Sequence, residues 1–153
     1  MNTRNHKLFL SLALVAFFSA LVSFIPATDS DLNNEILSYT NNYRQSNSRT
    51  VLTMRDDLNG IAQKHSSDMA KGKVPFGHTG FDDRDAKARK LLPGMTKFAE
   101  NVAYGANSAK EVFTMWKNSS GHRKNMLGDY KYIGIGTATD KKGTTYFTQV
   151  FAN

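Results

Sequence analysis

Two histidines and one glutamate stand apart in this 153-residue chain. His78 lies in FGHTG and His122 in NSSGHRKNML, each directly after a glycine and each at the end of an expected element. Glu100 is the one charge in the stretch FAENVAY. Burying a carboxylate alone is costly, so Glu100 is expected to have a partner. The other two glutamates have plainer roles. Glu35 sits on an exposed helix face by pattern, and Glu111 completes an S-x-x-E capping box with Ser108. His65 falls on or beside an apolar helix face, where a lone imidazole reads as a packed, hydrogen-bonded core residue.

Two imidazoles and a carboxylate make a three-ligand set for zinc or another divalent ion, with water in the fourth position. That set would also suit hydrolysis, the bound water attacking an amide or ester. A third reading keeps the three residues as a hydrogen-bonded polar cluster with no ion. A serine route is also conceivable, because Ser119 and Ser120 precede His122 and Glu100 could orient the imidazole. It lacks a G-x-S-x-G elbow, and Ser120 reads more simply as the N-cap of a helix starting at Gly121. There is no H-E-x-x-H and no short ligand pair. Only the fold can bring His78, Glu100 and His122 together.

The elements that would do so are legible. Apolar spacing predicts helices over 30–46, capped by Ser30 or Asp31, and over 54–71, stopped by Gly72. Residues 73–98 form a long connection with one short helix near 82–92, and connections of this length tend to carry function. AENVAYG follows, then a helix over 109–117 and a shorter one from Gly121 to Met126. KYIGIGTAT and TTYFTQVFA, joined by DKKG, form a hairpin. Its strands are apolar on both faces, which implies a sheet covered on both sides. The fold class is therefore α+β, a three-layer α-β-α sandwich. Gly134 and Gly136 imply something packed closely against one face.

Residues 1–27 have a basic start, an apolar run over 8–25 and a break at Pro26-Ala27, the layout of a secretory signal peptide. An uncleaved anchor is the alternative, because the run is nearly long enough to span a bilayer. The domain then covers 28–153. The chain has no cysteine, so no disulfide supports it and no thiolate can bind metal; a secreted domain of this kind points to a bacterial source. The net charge of +7 falls to +5 once Arg4 and Lys7 leave with the signal. That favours anionic envelope surfaces, but the lysines are scattered and form no nucleic-acid stripe.

At these residues the chain resembles the CAP superfamily, also called the SCP domain. NNYRQSN is similar to the family's N-x-x-R opening, and LNGIAQKHSSDMA to its second helix. FGHTG resembles its first-histidine motif, AENVAYG its G/A-E-N-[IV]-A box, and WKNSSGHRKNML the bacterial W-x-x-S-x-G-H-R-x-N-[IM]-L motif. YIGIG and YFTQVFA resemble the closing strands. The resemblance covers roughly residues 32–152. It implies an α-β-α sandwich whose central cleft is lined by His78, Glu100 and His122, with zinc or another divalent ion in several members. One departure matters: many eukaryotic members have a second cleft glutamate where this chain has Ser119.

The resemblance implies a secreted or envelope-associated binding protein, monomeric, with a lipid, glycan or host or envelope protein as ligand. The alternative is a zinc-dependent peptidase or esterase using the same cleft. Binding ranks first because one glutamate cannot easily serve as both ligand and general base.

Overall fold

The computed structural model describes residues 29–153. The signal-peptide reading of residues 1–27 therefore lies outside the described residues. Five helices and four strands follow in the order α1 (Asp29–Ser46), β1 (Thr53–Met54), α2 (Asp56–Ala70), α3 (Phe81–Leu91), β2 (Phe98–Tyr104), α4 (Ala109–Asn118), α5 (Ser120–Met126), β3 (Tyr132–Thr139) and β4 (Thr145–Ala152).

The strands form one sheet in the order β1-β3-β4-β2. The closing hairpin pairs β3 with β4, Gly136 opposite Thr148, and β2 joins the far side of β4 with Glu100 opposite Val150. The two-residue β1 pairs parallel to β3. It was not expected, because two residues carry no readable alternation.

Each sheet face has its own core, as strands apolar on both sides require. Ile36, Val112, Trp116, Met126, Ile133, Ile135, Phe147 and Phe151 bury against α1, α4 and α5. Leu58, Ile61, Ala62, Ala88, Leu92 and Val150 bury against α2 and α3 on the other face. This is the α-β-α sandwich the strand pattern implied. Helix α2 approaches β3 so closely that a Cβ on Gly136 would lie 2.1 Å from the Gln63 backbone nitrogen. One on Gly134 would lie 2.2 Å from the Leu58 carbonyl carbon. The contact is locked by reciprocal hydrogen bonds, Gln63 donating to the Thr137 carbonyl at 2.6 Å and accepting from its N–H at 3.0 Å.

The opening N-x-x-R is structural. Asn41 clasps Leu52 through both backbone groups, at 3.0 and 2.8 Å. Arg44 is buried without a carboxylate and donates instead to the carbonyls of Thr50, Met126 and Gly128 at 2.7–2.8 Å. It thereby ties α1 to the end of α5. Burial holds its guanidinium below the ordinary arginine range.

Three local expectations are corrected. Helix α1 is described from Asp29 onward, so Ser30 and Asp31 lie within the helix rather than ahead of it. Helix α5 begins at Ser120, with Ser119 as its N-cap and no side-chain cap hydrogen bond, so Ser120 is not the cap. At α4, Ser108 Oγ accepts from the Glu111 N–H at 3.2 Å as expected, but Glu111 reaches back to Asn107 N–H rather than to Ser108.

Candidate functional site

Strand β2 is the outer strand of the sheet beyond β4, and it carries Glu100 on the face covered by α2 and α3. Its carboxylate is wholly buried, with 0% side-chain exposure, and both oxygens are used. Arg84, on α3, donates through Nε to Oε2 at 2.5 Å and through Nη2 to Oε1 at 2.7 Å. His78 lies 2.8 Å from Oε1 through Nδ1. Because both carboxylate oxygens accept, the hydrogen of this contact sits on His78 Nδ1, and Nε2 is left as an acceptor. The His78 side chain is 50% exposed.

The turn that presents His78 is held from below. His65 is buried and its Nε2 lies 2.8 Å from the Gly77 carbonyl, which fixes Nε2 as the protonated nitrogen. Burial lowers the affinity of His65 for a second proton, and that carbonyl opposes the shift. Arg84 braces the same turn from the side, donating to the Thr79 carbonyl at 2.8 Å. The sequence reading of His65 as a packed, hydrogen-bonded residue holds, and its partner is the backbone directly before His78.

His122 comes from the opposite layer, in the first turn of α5. A buried amide relay sets that turn: Asn101 donates to the His122 carbonyl and to Gln149, both at 3.2 Å, and accepts from Asn125 at 2.9 Å. Gln149 in turn donates to Thr40 at 3.0 Å, and Asn125 also donates to the Glu100 carbonyl at 3.1 Å. The His122 side chain is half-buried. Burial pushes its imidazole below the ordinary histidine range, and His78 adds to the effect.

The fold thus brings His78 onto Glu100, and His122 lies within electrostatic range of His78. A three-ligand metal site needs the carboxylate free, and here Arg84 occupies it with a cation. Among the described residues no group of three or more His, Asp or Glu is arranged to hold a metal ion. The residues present do not fit a divalent ion as the three-ligand reading requires. Glu100 orients His78 rather than His122, so the serine-route geometry is not formed either.

Sequence reasoning missed Arg84, Asn101, Asn125 and Gln149. Arg84 lies in the charged run FDDRDAK, whose periodicity marks a surface helix and not a buried ion pair. The asparagines stand beside the expected site residues, but a role as amide relay needs tertiary pairing.

Two further features flank the cluster. A cleft of about 300 Å³ opens between α2 and α3, with His65, Arg84, Lys64, Asp68, Asp83 and Lys87 in its walls. On the other side lies a row of aromatic rings. Phe76 and Tyr104 are 47% and 51% exposed, with ring centroids 4.6 Å apart. Tyr104 stacks on Tyr146 at 5.8 Å. Phe76 is two residues from His78, and Tyr104 shares its strand face with Glu100.

Comparisons with known proteins match the chain's sequence and its fold. The profile of the CAP family, described as the cysteine-rich secretory protein family, matches residues 37–151. The uncharacterized protein YkwD of Bacillus subtilis (strain 168) is 30% identical over 114 residues, which is 72% of this chain and 44% of that protein. The chain therefore spans less than half the length of this curated relative. A crystal structure of an extracellular protein containing a SCP domain from Bacillus anthracis str. Ames aligns over 82% of this chain and 44% of that chain, at 24% identity with a TM-score of 0.66. An outer surface protein from Borrelia burgdorferi aligns over 83% of this chain and 96% of its own, at 17% identity with a TM-score of 0.69. These structural likenesses carry the fold.

Proposed function

The chain belongs to the cysteine-rich secretory protein (CAP) family, and from that premise we propose that it is an extracellular binding module. Its ligand seats against His78, His122 and the aromatic row of Phe76, Tyr104 and Tyr146. The observation that carries this reading is the exposure of Phe76 and Tyr104 beside an exposed, hydrogen-bond-oriented imidazole. Large apolar rings left in water next to an oriented polar group are the composition of a ligand site: apolar surface for affinity, a few polar atoms for orientation. Such a surface suits a lipid or a glycan, which presents an apolar face together with hydroxyl groups.

Extracellular placement is supported by the signal-like N-terminal sequence and by the two structural neighbours described as extracellular or outer-surface proteins. Among the described residues no helix is long and apolar enough to cross a membrane. A hydrolase would need Glu100 as ligand or base, and both oxygens of this carboxylate already accept hydrogen bonds from Arg84 and His78.

The test is retention. Purified protein is incubated with an envelope lipid extract and, separately, with soluble cell-wall oligosaccharides, and the bound fraction is identified by mass spectrometry. Wild type retains one class, and Phe76→Ala and Tyr104→Ala lose it. Retention of neither class by wild type, or equal retention by both variants, overturns the proposal.

A further inference from the structure

We infer that Arg84 supplies, from within the chain, the positive charge that a divalent ion would otherwise bring to Glu100, so that the cleft is assembled without a metal. Three observations combine. The Glu100 carboxylate is fully buried and has to be neutralised by something. Arg84 does so through two parallel hydrogen bonds, the planar fork geometry that an ammonium or a water-bound ion does not reproduce. The same guanidinium donates to the Thr79 carbonyl, so it holds the carboxylate and the His78 turn in one grip.

An ion approaching Glu100 would have to break this pair and then sit against a displaced guanidinium of like charge. The arrangement also explains what Arg84 contributes to the cleft. With the carboxylate held as an acceptor, the hydrogen of this contact stays on His78 Nδ1, and in the neutral ring Nε2 keeps the lone pair. A ligand hydroxyl or N–H therefore donates to His78. Arg84 is a positioning residue: it acts through Glu100 and need not touch the ligand. This inference does not depend on which ligand the cleft takes.

Zinc titration calorimetry and thermal melting test it, using wild type, Arg84→Gln, Arg84→Lys, Glu100→Gln and the double variant Arg84→Gln with Glu100→Gln. Arg84→Gln is expected to bind one zinc at least about tenfold more tightly than wild type, the scale on which groups around a metal tune its affinity. Its melting temperature then rises with zinc. Wild type and Arg84→Lys show neither effect, and the double variant loses the gain. Wild type binding zinc as tightly as Arg84→Gln, with loss in Glu100→Gln, would overturn the inference, as would a folded Arg84→Gln that gains nothing.

Nitrogen-15 spectra of the wild-type histidines and Arg84 give an independent reading if Arg84→Gln does not fold. His78 is expected as the Nδ1–H tautomer, with the Arg84 Nε–H resonance unmoved by equimolar zinc. An Nε2–H tautomer, or a zinc-induced shift of the Arg84 Nε–H, contradicts the inference.

Discussion

Arg84 and Glu100, sixteen residues apart in sequence and on different layers of the sandwich, form a two-hydrogen-bond ion pair at 2.5 and 2.7 Å around a carboxylate with no solvent exposure. Removing one partner strands a buried charge. Arg84→Ala is expected to lower the unfolding free energy by about 3–5 kcal/mol, the usual size for breaking a buried pair. Arg89→Ala, on the exposed side of the same helix, should lose less than about 1 kcal/mol. Urea unfolding followed by circular dichroism measures both, and equal losses would count against the pair as the organiser of the site.

Arg44 is buried more fully than Arg84, and its partners are carbonyls alone. Arg44→Met leaves the Met126 carbonyl without its side-chain donor at the end of α5, whereas that of Gly128 still accepts from the Tyr130 N–H. The expected loss is about 1–3 kcal/mol, the desolvation penalty of one orphaned buried acceptor. Hydrogen exchange should show the loss concentrated in residues 120–130. A uniform loss across the chain would mean that Arg44 does not act as a local clamp.

Gly134 and Gly136 test the packing of α2 on β3. The added methyl of Gly136→Ala would collide with the Gln63 backbone, which belongs to a helix and cannot yield as a side chain could. About 3 kcal/mol or more should be lost. Gly60→Ala, whose Cβ meets nothing within 4 Å, is the control and should be neutral or slightly stabilising, as alanine is the better helix former. Thermal melting distinguishes them.

The buried His65 and the half-buried His122 give stability a pH dependence with a definite sign. His65 and His122 both hold protons less readily in the folded state than the ordinary value of 6.5, chiefly through burial. The unfolded chain therefore binds more protons below pH 6.5, and stability falls as pH drops through that value. The melting temperature should decline between pH 7 and about pH 5, before carboxylates begin to titrate. His122→Asn should flatten part of that slope. A melting temperature constant across this window would contradict the burial of both rings.

Much of this architecture was legible because it rests on patterning. Strands apolar on both sides, the glycines of YIGIG and the helical spacing of α1, α2 and α4 each report a local environment. His78, Glu100 and His122 were legible as candidates because glutamate and histidine are rare in this chain. Their real wiring was not. The charged run that holds Arg84 reads as a solvated helix face, and only the tertiary fold turns one of its residues inward onto β2. Strand β1 is too short for any periodicity, and the cap of α5 shifted because Ser119 and Ser120 are chemically equivalent in sequence.

The binding reading meets its most direct test in amide chemical-shift mapping of the wild-type protein, titrated first with a long-chain fatty acid and then with a soluble cell-wall oligosaccharide. The expected result is a saturable set of shifts confined to Phe76, His78, Tyr104, His122 and Tyr146 and their neighbours, absent in Tyr104→Ala. Shifts centred elsewhere on the sandwich, or none with either ligand class, would contradict it.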